Sequence, residues 1–537
     1  LKGYTLGKEK VLLLGASGSM GGQAFKELWN RKLPNGERMY DVVLLQRPSE
    51  INKKLFAPYE KECGITSIAG TGCVENGGLK IVWGDATNLD DMKKAVEGVD
   101  AALCPMAFIS PEADHNPKQA KAVNTTAIQY LIQAIEEEPD GIDHIRLAYV
   151  GTVAATGDRL PPIHWGRIGD PLKPSIFDFY ATTKIAGERA VIESKIKHWV
   201  VLRQTFIMIP DLMSLQDPIM FHQPINSFME NNTSRDAGRG LVNCLDIPAD
   251  SDFWRRVYNM GGGPKARIQF IDFTRHIFGM LGMDLRRIVD RKWFVLRNFH
   301  MQYYEDSAEL DKYIHNFRDS IEDYYKQVWA NLSGGMKATA FFNKIFPPTR
   351  WIAQKAARKQ LQAFAERKDG TLYWYTHKND QRISAFYGSY EKYKAIPDWD
   401  HDMPAGTFGN PEPEHIRLSH GYDETKEQLD LGDFQEAAQF RGGELLSTEW
   451  DGDLYSKLQW KCAFNHKFEA SPFLILKTGH WCPDCAAPPW NYDEIAKKNP
   501  FFAQVWYPNH SKDEHHYYDE NCFMDILSDE ELAKIEK

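Results

Sequence analysis

At 537 residues the chain is too long for one hydrophobic core, and its 43% hydrophobic and 26% charged residues are those of an ordinary globular protein with several domains. The longest apolar runs, such as Val11 to Leu14, fall far short of a membrane span, and a net charge of -10 repels nucleic-acid phosphates and anionic lipid. The opening LKGYTLGKEK has no apolar stretch of a secretory leader, and the eight cysteines do not space out as a disulfide framework, so a cytoplasmic location is expected.

From residue 1 to about 285, short β-rich runs alternate with amphipathic stretches, which predicts an α/β domain with a doubly wound parallel sheet. The first run, KVLLLG, leads directly into GASGSMGG and places Gly15, Gly18 and Gly21 at G-x-x-G-x-x-G spacing before a helix. Glycine lets the backbone turn tightly and approach a pyrophosphate, whose charge then sits on the helix N-terminus. This strand-turn-helix context points to a Rossmann-type dinucleotide site lined by Gly15, Ser17, Gly18, Met20 and Gly21. The second strand ends in LLQRPSE, where NAD sites carry an acid; Gln46 and Arg47 stand there instead, and an arginine pairs with a 2′-phosphate. NADP(H) is therefore the expected cofactor, with NAD(H) as the alternative. In WGDATNLDD, Asp85 and Ala86 close the next strand, and Asp85 either meets the adenine or caps the helix that begins near Asn88.

Further along, Y-x-x-x-K places Lys184 one helical turn after Tyr180, and Thr152 ends a strand. A phenol with a pKa of about 10 is a poor proton donor and acceptor near neutrality, and an ammonium on the same helix face favours the tyrosinate. In register, GASGSMGG, WGDATNLDD, VNTTAIQYLIQA, YVGTVAATG, YATTKIAGE and VLRQTF resemble the extended short-chain dehydrogenase/reductase family over roughly residues 8 to 285. The resemblance implies Tyr180 as acid/base, Lys184 as its activator and a ribose contact, Thr152 as the substrate-binding hydroxyl and Asn124 as the proton-relay asparagine. LCPMAF and the Arg203–Gln204 pair depart from the family pattern, and Val153 and Ala154 replace the acid pair of its sugar-nucleotide dehydratases.

Residues 286 to 440 read as a helical, then irregular region that caps the substrate; the Tyr- and Trp-rich text after 371 suggests connection with a few strands. Trp293, Phe294, Phe299, Met301, Tyr303 and Tyr304, with Met213, Leu215, Ile219, Met220 and Phe221, predict an apolar substrate pocket; interdomain core is the plain alternative. From 441 to 537, Cys462, His466, Cys482 and Cys485 form C-x3-H and C-x2-C knuckles, the ligand set of a structural Zn2+. This segment resembles a zinc ribbon of two hairpins, with His480, His510, His515, His516 and Cys522 as substitute ligands.

The reading that follows is an NADP(H)-dependent carbonyl reductase or alcohol dehydrogenase acting on a bulky apolar molecule. Alternatives are a nucleotide-sugar epimerase with tightly bound NAD, a double-bond reductase, and a non-catalytic redox-sensing or nucleic-acid-associated protein. Expected partners are a small-molecule substrate and a second copy of the chain, with neither nucleic acid nor membrane.

Overall fold

The computed structural model describes residues 8–66, 70–212, 217–399 and 413–535. An eight-stranded sheet is built from β1 (Glu9–Leu14), β2 (Tyr40–Gln46), β3 (Cys73–Asn76), β4 (Leu79–Trp83), β5 (Ala101–Cys104), β6 (Arg146–Thr152), β7 (His198–Gln204) and β8 (Arg256–Met260). Its order is β8-β7-β6-β5-β1-β2-β4-β3, with every pairing parallel except the edge hairpin β3–β4. Chain order reverses between β1 and β5, which is the switch point of a Rossmann-type fold and the place where such sheets open a ligand crevice.

Alternation within the strands explains the two layers. Leu12 and Leu14 of β1 join one core, while Val11 and Leu13 join the other, because successive side chains leave a strand on opposite faces. All four are fully buried, as expected for a parallel sheet covered on both sides. α1 (Ser19–Asn30) packs on one face; α2 (Leu89–Val96), α3 (Ala127–Glu137) and α4 (Phe179–Ile192) contribute to the core on the other.

The C-terminal segment shares that second core. Trp460, Phe468, Leu474 and Ile475 pack in one cluster with Ile128, Trp199 and Val201 of the Rossmann unit. The zinc-ribbon expectation is corrected in part. Cys462 and His466 sit at the turn between β10 (Leu458–Lys461) and β11 (Lys467–Ala470), which with β9 (Glu444–Leu445) make a small antiparallel sheet. Cys482 and Cys485 instead belong to a short helix at Pro483–Ala486, because Pro483 pre-sets its first turn, so there is no second hairpin.

The region after 371 also differs from expectation. Instead of strands, its text forms helices at Thr371–Thr376, Asp380–Tyr387 and Tyr390–Lys394, whose Trp374, Ile383, Phe386 and Tyr387 are buried together. Among the described residues no helix is long and apolar enough to cross a membrane.

Candidate active site

The two loops at the switch point touch. Gly15 has a φ of +84°, and a Cβ there would stand 2.8 Å from the Met106 Cα, so only glycine fits. Gly21 is equally constrained: a Cβ would come within 2.0 Å of the Gly15 carbonyl oxygen. Gly18 is different, since a Cβ would meet nothing closer than 3.4 Å within the chain. Its small size leaves free space outside the protein's own atoms. No side chain caps α1 at Gly18, so its first amides remain available to an anion. Ser17 is exposed on this loop, whereas the Met20 side chain turns into the core and offers a ligand only its backbone.

At the end of β2, Gln46 is buried with no partner for its Nε2, and Arg47 is exposed beside it. A buried donor left unpaired is costly, and a polar ligand at this position relieves it. The glycine cradle, the uncapped helix and Gln46 therefore fit a dinucleotide. Asp85 does not cap the following helix: its Oδ1 accepts from the Thr87 amide and hydroxyl, both at 2.8 Å, and Asn88 is the cap. Ala86 and Met106 pack half-buried against the same core at this edge.

Thr152 ends β6, where its hydroxyl accepts from the Ala154 amide at 3.1 Å, and Tyr180 lies in the first turn of α4 with Thr152 as a polar neighbour of its phenol. Burial raises the phenol to about 12, against the lowering effect of Thr152, and Asp178 adds to the rise. The expected Lys184–Tyr180 coupling is not what the side chains do. The Lys184 Nζ donates to the Val150 carbonyl at 2.7 Å and stands 4.2 Å from the Tyr149 ring centroid, and burial lowers it to about 8 against Cys104 and Glu188. The buried ammonium is held by the strand carbonyl rather than by the phenol, so the phenol keeps its proton in this state.

Asn124 sits in a π-helical turn at Ala122–Thr126, the kind of bulge that often marks functional sites. Its amide donates to the Phe108 carbonyl at 2.8 Å and to the Thr183 hydroxyl at 3.1 Å, and its oxygen accepts from the Phe108 amide at 2.8 Å. These bonds tie the loop after β5 to α4. Gly187 lets the two helices approach: a Cβ would lie 2.4 Å from the Asn124 carbonyl oxygen.

Glu188, and its pairing with Arg203 and His480, lay outside the sequence reading. Glu188, one turn beyond Lys184, pairs with Arg203 at 2.6 Å and with His480 at 2.9 Å, all three buried. Burial alone would raise the Glu188 carboxyl, but Arg203 and His480 outweigh it and hold it at about 2. Nothing in local spacing links positions 188, 203 and 480; the charged residues inside otherwise apolar stretches were the available signal.

The cavity beside the N-terminus of α4 is mixed, with charged groups set among apolar walls. Ser110, Asp114, Asp178, His222, Asp369 and Arg382 are among its lining residues, with Phe299 and Ile219 among the apolar ones. Trp293, Phe294, Phe221, Met301, Tyr303 and Tyr304 are instead buried core, Met220 packs half-buried against it, and Met213 and Leu215 lie outside the described residues. The predicted apolar pocket is thus largely packing between segments.

The metal-like donors converge. The Cys462 and Cys485 sulfurs are 3.9 Å apart, the His466 Nδ1 lies 3.5 Å from the Cys482 sulfur and 3.6 Å from that of Cys485, and all four ligand atoms fall within 4.8 Å of one another. Tetrahedral bonds of about 2.3 Å to zinc place sulfurs roughly 3.8 Å apart, so the set fits. The substitute ligands are engaged elsewhere: His480 with Glu188, His510 stacked on Trp506, His515 with Glu494 and His516 with Asp493. Cys522 packs in a separate core cluster.

No protein-family model and no curated protein matches the chain. Among solved structures it is similar to the dTDP-glucose 4,6-dehydratase DesIV from Streptomyces venezuelae with NAD bound, at 17% identity and a TM-score of 0.45 over 60% of this chain and 96% of that one. A UDP-glucuronic acid 4-epimerase from Bacillus cereus, with NAD, gives 16%, 0.42, 62% and 99% for the same quantities. WbmG from Bordetella bronchiseptica, in complex with NAD, gives 13%, 0.42, 60% and 94%. With overlaps this partial, the Rossmann-type assignment stands on the strand order and the glycine turn.

Proposed function

We propose that the chain is a nicotinamide-dinucleotide-dependent oxidoreductase of the short-chain dehydrogenase/reductase type. The observation that carries this reading is the placement of Thr152 at the C-terminal end of β6 with Tyr180 opposite it in the first turn of α4, on a sheet whose switch point bears the glycine turn. The bound dinucleotide supplies or accepts the hydride. Thr152 holds the substrate oxygen, and Tyr180, protonated in this state, gives that oxygen its proton during carbonyl reduction. Lys184 holds the strand end through Val150 and meets the ribose when the dinucleotide is bound. Gly15, Gly18 and Gly21 cradle the pyrophosphate, and Arg47 beside Gln46 favours NADP(H).

The substrate in this proposal carries polar groups as well as apolar surface, since the cavity near α4 sets Asp178, His222, Asp369 and Arg382 among apolar walls that include Phe299 and Ile219. That lining also favours a second reading, epimerisation of a hydroxyl-rich sugar nucleotide with NAD retained, which uses the same Thr152 and Tyr180. One preparation separates the two. NADPH oxidation with added ketones, aldehydes or quinones supports the reductase; NAD+ released on denaturation, with turnover of a sugar nucleotide and no net absorbance change, supports the epimerase. Neither activity, together with no dinucleotide binding by fluorescence titration, would overturn both. The Cys462, His466, Cys482 and Cys485 set is assigned a structural Zn2+, a closed four-ligand site with no position for substrate.

A further inference from the structure

Beyond the sheet, two helices meet at a Pro-Pro corner and turn an apolar surface to solvent. α5 (Gly334–Ile345) buries only Ala340 and Asn343, and α6 (Pro347–Ala365) buries only Leu361 and Ala365, near its C-terminal end. Around the corner, Phe341, Phe342, Ile345, Phe346, Trp351 and Ile352 are between 52% and 63% exposed. Single exposed apolar side chains are ordinary, but six within twelve residues at one tip form a surface that marks a partner.

Charge says what kind of partner. From Lys337 to Lys359 the hairpin carries six cations, at positions 337, 344, 350, 355, 358 and 359, and no acid, in a chain whose net charge is -10. The ion pairs nearest in sequence are Lys326–Asp323 before and Arg367–Asp369 after, and among the described residues none of the six cations is in one. Lys344 and Lys355 lie instead near the Trp329 and Trp351 rings, at 5.8 Å and 5.3 Å from the centroids. A second copy docking tip to tip would bring two such sets of like charge together. An anionic bilayer neutralises them while its acyl chains take up the aromatic and aliphatic tip, and lysines reach the headgroups along their apolar stems.

We propose that the α5–α6 hairpin seats the protein on the surface of an anionic lipid bilayer, in the interface and without spanning it. The sequence expectation of no membrane partner rested on the lack of a spanning run and on overall charge, and neither excludes a monotopic contact. The proposal is independent of the catalytic reading.

Co-sedimentation of the full chain with vesicles of phosphatidylcholine, with and without phosphatidylglycerol, tests it. The protein is expected to pellet with the anionic vesicles, less with phosphatidylcholine alone, and less at high salt. The triple variant Phe346→Ser, Trp351→Ser, Ile352→Ser should lose binding, and each of Lys344→Gln and Lys355→Gln should weaken it roughly fivefold. Unchanged circular dichroism and melting temperature in these variants shows that the contact, not the fold, was lost. Wild-type protein remaining in the supernatant with anionic vesicles overturns the proposal, as does a triple-serine variant that binds like wild type. A dimer dissolved by the triple variant, without vesicle binding, would assign the surface to a second copy and overturn it too.

Discussion

The Glu188 carboxylate and the His480 ring lie 2.9 Å apart with both side chains buried, joining the helix that carries Tyr180 to the segment that carries the cysteine knuckles. Arg203 completes the contact from β7 and also donates to the Thr478 carbonyl at 2.7 Å. Removing one member of a buried ion pair leaves an uncompensated charge, so Glu188→Ala should lower stability by about 3–5 kcal/mol. Glu188→Gln, which keeps hydrogen-bonding capacity, should cost less. Urea unfolding midpoints measure both, and equal losses would mean that charge alone, rather than packing or hydrogen bonding, holds this junction.

Tyr180→Phe removes the hydroxyl proposed as proton donor while keeping the ring. Turnover should fall by roughly 10²–10⁴-fold, the usual share of a positioned acid or base. Dinucleotide affinity, read by fluorescence titration, should stay within about twofold, because removing a transition-state proton donor need not weaken ground-state binding. Retained turnover would remove Tyr180 from the reaction.

Asp114 faces the N-terminus of the same helix, and its Oδ1 accepts from the Phe179 amide at 2.9 Å. Burial, then the neighbouring Asp178, raises its carboxyl to about 8, against Ser110 and the amides of Tyr180 and Phe179. The folded state therefore binds the proton more tightly than the unfolded chain, whose aspartate titrates near 3.9. This contribution to stability is present in full below the unfolded value and declines as pH rises towards 8. Asp114→Asn keeps an acceptor for the amides and cannot ionise, so its stability relative to wild type should increase from pH 5 to 9. Parallel pH–stability curves for the two proteins would show that Asp114 does not titrate in this way.

The strands and the glycine turn were legible because each position carries its own cause. Period-two burial dictates Leu12 and Leu14 against Val11 and Leu13, and a close approach dictates Gly15 and Gly21. The helices between 371 and 394 were not, because their Tyr, Trp and Phe residues favour strands by propensity and become helical through mutual burial. Asn379 and Ser389 do cap two of these helices, so the start signals were present in the text. The direction of Lys184 was beyond sequence, since helical spacing puts it on the face of Tyr180 but not on its hydroxyl.

The last prediction concerns the knuckles. The Cys462 sulfur already accepts the Phe464 amide at 3.4 Å, and Asn465 takes a φ of +64° to close the turn that presents His466. A loop pre-formed this way, opposite a C-x2-C turn, brings three sulfurs and one imidazole nitrogen together, where one divalent zinc offsets the charge of the thiolates. About one zinc per chain is expected by elemental analysis. Because metal binding at such a site is coupled to folding, Cys482→Ser or a chelator should lower the melting temperature by on the order of 5 °C. Cys482 is two residues from His480, and Arg189 of α4 donates to the Trp481 carbonyl at 3.1 Å, so the loss should reach the helix that carries Tyr180. Turnover is expected to fall in parallel with zinc content, while Cys73→Ser, at an exposed cysteine away from the cluster, should change neither. Zinc-free protein with unaltered melting would leave the four residues as reduced thiols beside a histidine.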